Sequence, residues 1–120
     1  MKVFVYWNIR KKVWSIRCEE KGPQKGLVIA HRENLMLTDV RPKVSEAGRQ
    51  RVLRHQQKNV HAGLMGQWDD NAKQYDVDGY RITYNPYRAP TFTFRGGDEE
   101  YEGSASAQLN GRRVTVSGLI

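Results

Sequence analysis

The side chains of this 120-residue sequence that could do chemistry are mainly basic, amide and aromatic. Asn85, Tyr87 and Arg88 follow one another closely at the end of a predicted strand. There an amide can read a base or ribose edge, a ring can stack on a base, and a guanidinium can hold phosphate. A proline turn with exposed polar residues explains the same segment. The segment therefore indicates either a site for a nucleotide-like anion or an ordinary surface turn.

Three further arginines are candidates for the same kind of ligand. Arg49 borders the apolar stripe of a predicted helix, where its guanidinium can grip phosphate through two parallel hydrogen bonds. A structural ion pair with Glu46 or Asp39 is the alternative. Arg112 and Arg113 follow a tight turn and are expected to point to opposite faces of one strand, so that at most one reaches a given pocket.

A second basic group, Arg51, Arg54 and Lys58, falls on one face of the predicted helix. It is either a solvated helix face or a second anion site. The whole chain carries 20 Lys and Arg against 13 Asp and Glu, for a net charge of +7. A surplus of that size attracts phosphates, nucleic acid or acidic surfaces without selecting among them.

Catalytic and metal-binding patterns are not evident. His55 and His61 are six residues apart and do not share a helix face as a metal pair would. Cys18 alternates with apolar residues, so we expect a small buried hydrophobe and not a thiol nucleophile working with His31. The acidic run at 98–102 is typical of a solvated hairpin tip. We predict a protein that is not an enzyme and needs no metal or cofactor.

The elements that must position these side chains begin with strands. Short runs with alternating or β-branched residues predict strands at 3–7, 13–18, 27–30 and 35–40, which form a three- or four-stranded antiparallel meander over residues 1–43. From residue 80 to residue 120 a second set of antiparallel strands follows. It includes a hairpin closed by Asn110-Gly111.

One long amphipathic helix is predicted between them, over residues 45–68. Ser45 can cap its start, and the apolar stripe along it is formed by Leu53, Val60, Leu64 and Trp68. Gly63 and Gly66 either break this helix in two or allow close contact with a second copy, so we expect at least a dimer. The expected class is α+β, in a single domain spanning 1–120.

The expected cellular compartment follows from two features that the sequence lacks. No stretch approaches the roughly 20 apolar residues of a membrane span, and one cysteine cannot form an internal disulfide. We therefore expect a cytoplasmic protein with no membrane association.

Several motifs resemble those of small proteins from tailed bacteriophages. They lie at 5–8, 14–17, 44–54, 58–63 and 82–87. The sequence resembles the first-described type of Thoeris anti-defence protein. That resemblance implies a sponge that binds cyclic ADP-ribose immune signals without cleaving them, in the cytoplasm of the infected host. It also implies a homo-oligomer, up to a hexamer that holds cyclic oligonucleotides at separate sites.

The resemblance also implies roles for individual residues. Asn85 matches the pocket asparagine, Tyr75 the ring that stacks on adenine, and Arg17 an arginine that reaches the pocket from a partner subunit. The helix arginine is Arg49 or Arg51, and the late-strand arginine is Arg112 or Arg113. The alternative function is a basic phage protein that binds nucleic acid through the face of Arg51, Arg54 and Lys58.

Overall fold

The computed structural model describes residues 1–56 and 59–120, which form nine strands and one short helix. The strands are β1 (Lys2–Asn8), β2 (Val13–Cys18), β3 (Val28–Arg32), β4 (Asn34–Val44), β5 (Ala62–Gln67), β6 (Tyr80–Thr83), β7 (Thr93–Phe94), β8 (Ser104–Asn110) and β9 (Arg113–Leu119), and the helix is α1 (Glu46–His55). The class is α+β with far more strand than helix.

All nine strands belong to one antiparallel sheet, in the order β3-β2-β1-β5-β4-β8-β9-β6-β7. The first three strands form the predicted meander. The fourth does not join it, because β4 pairs with β5 and β8 in the middle of the sheet. Of the two alternatives for residues 1–43, the three-stranded meander is therefore confirmed and the four-stranded one is wrong.

The long helix is also corrected. Its start is confirmed, since the Ser45 hydroxyl accepts a hydrogen bond of 3.2 Å from the Gly48 amide. It ends at His55, followed by Gln56 in the left-handed conformation with φ of 53°. Residues 62–67, predicted to be helical, form strand β5 between β1 and β4.

Glycine explains why a strand replaces the second half of that helix. A Cβ at Gly63 would clash with the Val5 carbonyl and come within 2.6 Å of the Phe4 ring. Glycine is also a poor helix former, so the local preference of this segment is weak and pairing on both edges decides its structure. The basis for a helix-mediated dimer is lost, because Gly63 and Gly66 lie within the sheet.

The sheet curls around one hydrophobic core. Buried side chains from β1, β2, β4, β5, β6, β8 and β9 form a single cluster that also includes Phe92 and Tyr101. The Trp14 indole in β2 donates a hydrogen bond of 2.6 Å to the Gly111 carbonyl, at the tip of the β8–β9 hairpin. Since β2 and this hairpin are not neighbours in the strand order, that bond joins two distant parts of the curled sheet.

The hairpin itself was predicted correctly. Asn110 ends β8 and pairs with Arg113, and Gly111 adopts the positive φ of 58° that a tight hairpin turn requires. Arg112 therefore lies in the turn, one residue before the strand in which it was expected.

Within residues 1–56 and 59–120, the structure contains no helix with the length and apolarity needed to cross a membrane.

We expect Gly63→Ala to lower the free energy of unfolding by about 3 kcal/mol, because the added methyl group meets backbone and ring atoms that cannot both move away. Gly97→Ala is the matched control, since a Cβ there has no atom within 4 Å, and it should change stability by less than about 0.5 kcal/mol. Urea unfolding measures both. A stabilising Gly63→Ala would contradict strand β5, because it is the effect expected within a helix.

The pH dependence of stability should report on Tyr101. This ring is buried, and its hydroxyl shares a 2.7 Å hydrogen bond with Ser104. Burial raises the pKa of the phenol, so the native state holds this proton more tightly than the unfolded state does. The free energy of unfolding should therefore fall as pH rises above about 10. Tyr101→Phe should make that fall shallower, whereas exposed Tyr75→Phe should leave it unchanged; equal slopes for all three proteins would contradict the assignment.

Candidate functional site

A cleft of about 650 Å³ opens between the end of β1, the end of α1 and the turn that follows β6. We call it the aromatic cleft. Its aromatic members are Tyr6, Trp7, Tyr84 and Tyr87, and the rest of the lining is formed by Asn8, Ile9, Arg10, Val52, Gln56, Asn59, Val60, His61, Ala62, Pro86 and Arg112. In the part of the chain that the structure describes, this lining contains two arginines and no carboxylate.

Strand β1 supplies one wall, in which Trp7 is the central side chain. Trp7 packs edge-on against Trp14, with ring centroids 5.3 Å apart, which fixes the indole at the edge of the core. The guanidinium of Arg112 lies 5.8 Å from the centre of the Trp7 ring. The cleft thus presents an aromatic face and a cation at the same point.

The turn after β1 is held by Asn8. Its side-chain carbonyl accepts hydrogen bonds from the amides of Arg10 and Lys11, at 3.1 and 3.0 Å, and its amide donates to Ser15. These bonds use the polar atoms of Asn8 for structure. Their effect on the cleft is to place Ile9 and Arg10 at its rim.

The opposite wall joins three segments that are distant in sequence. The Ser45 amide at the start of α1 donates to the His61 carbonyl at 2.7 Å, and the Asn59 amide group donates to the Gly48 carbonyl at 3.2 Å. The His61 ring in turn contacts the Tyr84 hydroxyl at 2.7 Å. The helix, the approach to β5 and the end of β6 are therefore fixed against one another.

The His61 ring is fully engaged in this wall. Its Nδ1 lies 3.2 Å from the Asn59 carbonyl, which can only accept, so the neutral ring donates from Nδ1 and accepts the Tyr84 proton at Nε2. Burial raises the pKa of Tyr84, and the nearby positive charge of Arg49 offsets part of that rise. Tyr84 therefore remains a hydrogen-bond donor over the neutral pH range.

Two of the predicted site residues, Tyr87 and Arg112, line the aromatic cleft. Arg49 and Asn85 instead build its wall. The Arg49 guanidinium donates to the Pro86 carbonyl at 2.9 Å and to Glu46 at 3.1 Å, so the predicted ion pair with Glu46 is present. The Asn85 side chain accepts from the Tyr87 amide at 3.0 Å, which closes the turn.

Arg17 and Tyr75 lie outside the residues that form the cleft. Arg17 packs over the Phe4 ring, 4.5 Å from its centre, and pairs with Glu19 at 2.8 Å. The Tyr75 backbone amide contacts the sulfur of Met36 in β4 at 3.5 Å, and its ring is exposed. Tyr75 therefore does not line the cleft, contrary to expectation. Arg17 is expected to reach the pocket from a partner subunit, and that role stays a prediction.

The structure describes two of the three residues of the predicted second anion site. Arg51 and Arg54 are exposed on α1, and neither lines the cleft. Lys58, the third member of that set, lies outside the described residues. Whether the three act together stays a prediction.

A separate depression of about 430 Å³ lies near the tip of the β8–β9 hairpin. It is lined by Arg81, Asn110, Arg112 and Arg113, and we call it the basic groove. Both late arginines line it, so the expectation that at most one of them reaches a given pocket is wrong. The reason is that Arg112 belongs to the turn and is not bound by the alternation of the strand.

Four cleft residues are not among the predicted site residues: Trp7, Tyr6, His61 and Tyr84. The sequence predicts only a strand for Tyr6 and Trp7, and a helix for His61. Their proximity depends on α1 and β5 returning beside β6, which no local pattern encodes. The one available signal was a Tyr-Trp pair at a strand end followed by a basic loop.

No group of three or more metal-ligating side chains occurs in residues 1–56 and 59–120. Cys18 is buried, as its alternation predicted, and its thiol contacts the Glu20 carbonyl at 3.9 Å.

Comparison with known proteins places the chain among bacteriophage proteins, as the sequence motifs predicted. The family described as "Mycobacterium phage L5 gene 82 protein" matches residues 1–117, and the chain belongs to this family. A similar relative is the "Gene 82 protein" of Mycobacterium phage L5, which is 34% identical over 84% of this chain and 89% of its own length. No solved structure matches the chain.

We expect Arg49→Met to destabilise the protein by about 1 to 2 kcal/mol, because it removes charge-assisted hydrogen bonds from a largely buried guanidinium. Arg51→Met, on the exposed face of the same helix, is the control and should change stability by less than about 0.5 kcal/mol. Chemical denaturation measures both. Equal stability of the two variants would mean that the contact with Pro86 contributes nothing to holding the wall.

Proposed function

We propose that this phage protein binds a small cyclic nucleotide of the cyclic ADP-ribose type in the aromatic cleft and sequesters it without cleavage. The observation that supports this most directly is the Arg112 guanidinium 5.8 Å above the Trp7 ring, in a cleft without carboxylates among its described residues. The cleft volume of about 650 Å³ falls in the range of about 300–1,000 Å³ that is usual for small-ligand sites.

The chemistry of the lining suits the parts of such a ligand. Its adenine needs a flat aromatic face, which Trp7 and exposed Tyr87 present. Its diphosphate needs cations, which Arg10 and Arg112 supply from the rim. Its riboses need hydrogen-bonding groups, and Gln56 borders the same space.

Capture without turnover is consistent with how the titratable groups are used. Among the described residues, His61 is the cleft side chain best suited to move a proton at neutral pH, and both of its nitrogens are bonded to protein atoms. A guanidinium donates hydrogen bonds and does not accept them, so the two cleft arginines offer no general base. A site of this kind stabilises a bound anion, and its rigid wall reduces the entropy lost on binding.

The place of action and the assembly belong to the same proposal. A sponge for an immune signal works in the cytoplasm of the infected host, where the signal is made. A homo-oligomer, dimer or hexamer, remains part of the prediction, although the sheet position of Gly63 and Gly66 removes the helix contact first expected to mediate it.

Two exposed tyrosines provide a matched test. Tyr87, 64% exposed, borders the cleft, and Tyr75, 60% exposed, lies outside it. We expect Tyr87→Ala to weaken binding of cyclic ADP-ribose isomers about tenfold or more, since stacking on one base contributes about 1–3 kcal/mol. Arg112→Gln should weaken it similarly, and Tyr75→Ala should not. Titration calorimetry with each isomer measures all three.

A second measurement tests sequestration itself. The protein is incubated with the bound isomer and then heat-denatured, and the released molecule is analysed by mass spectrometry. Recovery of the intact cyclic molecule is expected. Recovery of a linear product would contradict capture without cleavage, and equal weakening by Tyr75→Ala and Tyr87→Ala would show that the aromatic cleft is not the site.

A further inference from the structure

Three arginines converge on the outer face of the sheet, at the end formed by β9, β6 and β7. Arg81 lies in β6, and Arg95 follows β7 with its amide donating to the Arg81 carbonyl at 2.9 Å. The pairing of Ile82 with Phe94 makes Arg81 and Arg95 direct cross-strand neighbours. On the other side of Arg81, its direct partner in β9 is Thr115. Arg113 lies two residues before Thr115 and is therefore the diagonal neighbour of Arg81 on the same face of the sheet. We call these three residues the arginine triad.

The three positive charges of the triad repel one another. Like charges directly opposite one another in a sheet destabilise it. Desolvation lowers the pKa of Arg81, and the positive charges of Arg95 and Arg113 lower it further. None of the ion pairs within the described residues includes a triad member. Among the described residues, the sheet therefore holds three cations together with no carboxylate within ion-pair distance of them.

We propose that the arginine triad binds a compact phosphate-bearing anion at a site separate from the aromatic cleft. Guanidinium groups recognise phosphoryl oxygens through paired, charge-assisted hydrogen bonds. A bound anion of this kind offsets the repulsion that the bare sheet must carry. The basic groove, about 430 Å³ in volume, extends the site from Arg81 and Arg113 toward Asn110.

The dimensions favour a short anion over a long one. Adjacent strands are about 4.8 Å apart, so three neighbouring strands place the triad across roughly 10 Å, which suits one or two phosphoryl groups. Beyond Arg95 the chain turns acidic, with Asp98 paired to Arg88 and Glu100 bridged to Thr93 at the edge of the sheet. That edge repels a polyanion that would continue past the triad.

This site does not depend on the proposed function. None of Arg81, Arg95 and Arg113 lines the aromatic cleft, so substitutions in the triad leave the cleft lining unchanged. Arg112 lines both depressions and is therefore unsuitable as a test residue.

The test uses inorganic pyrophosphate as the probe and Arg81→Gln as the variant. For the wild-type chain at low ionic strength, we expect pyrophosphate to raise Tm more than sodium chloride does at the same ionic strength. Arg81→Gln should have a higher Tm than wild type without anion, because it relieves repulsion. It should also bind pyrophosphate about tenfold more weakly or worse by calorimetry, having lost charge-assisted hydrogen bonds.

Two further variants complete the design. Arg95→Gln should behave as Arg81→Gln does, which keeps the test valid should one of them fold poorly. Arg51→Gln, on the exposed face of α1, removes the same charge elsewhere and should keep full pyrophosphate binding. A 20-nucleotide single strand of DNA serves as the extended phosphate probe.

Three results would overturn the proposal. The first is an equal rise in Tm from sodium chloride and pyrophosphate, which would mean simple screening. The second is unchanged pyrophosphate binding in both triad variants. The third is tighter binding of single-stranded DNA than of pyrophosphate, together with weaker DNA binding by both triad variants. That result would mean that the triad belongs to an extended nucleic-acid-binding surface. Retained pyrophosphate binding in a cleft variant that loses the cyclic nucleotide would separate this site from the proposed function.

Discussion

The close contact between β5 and β1 is the constraint on which the rest of the structure depends. Gly63 lets the Phe4 ring lie over the backbone of β5, where a side chain would clash. With β5 paired to both β1 and β4, the N-terminal meander and the C-terminal strands become one sheet. Asn59 and His61, which precede β5, then lie against Gly48 and Ser45 of the helix start and form a wall of the cleft.

Local signals in the sequence predicted the local structure well. Ser45 capped the helix, and Asn110-Gly111 closed the hairpin, because each acts through bonds within a few residues. The second half of the helix was wrong because Leu64 and Trp68 fit a helical spacing by coincidence. Both are buried, from β5 and the residue just after it, through contacts with distant strands. Pairing between distant segments overrides such a weak pattern.

In the candidate site too, residues placed by local structure could be predicted, and residues placed by contacts between distant segments could not. Tyr87 and Arg112 could be identified from residue type and turn position, since both stand at the ends of recognisable elements. Trp7 could not, because only the curl of the sheet places it beneath Arg112. Arg49 has the residue type of a ligand-binding group, but its guanidinium bonds to the Pro86 carbonyl. A guanidinium serves either role, and its neighbours in space decide which.

Arg112 borders both the aromatic cleft and the basic groove. One guanidinium cannot give its full set of hydrogen bonds to anions on both sides at once. On the two binding proposals, an anion in one depression therefore changes the free energy of binding an anion in the other, and thermodynamic linkage makes that change equal in both directions. The hairpin turn that carries Arg112 would then act as a coupling element, because the two depressions share no other charged side chain among the described residues.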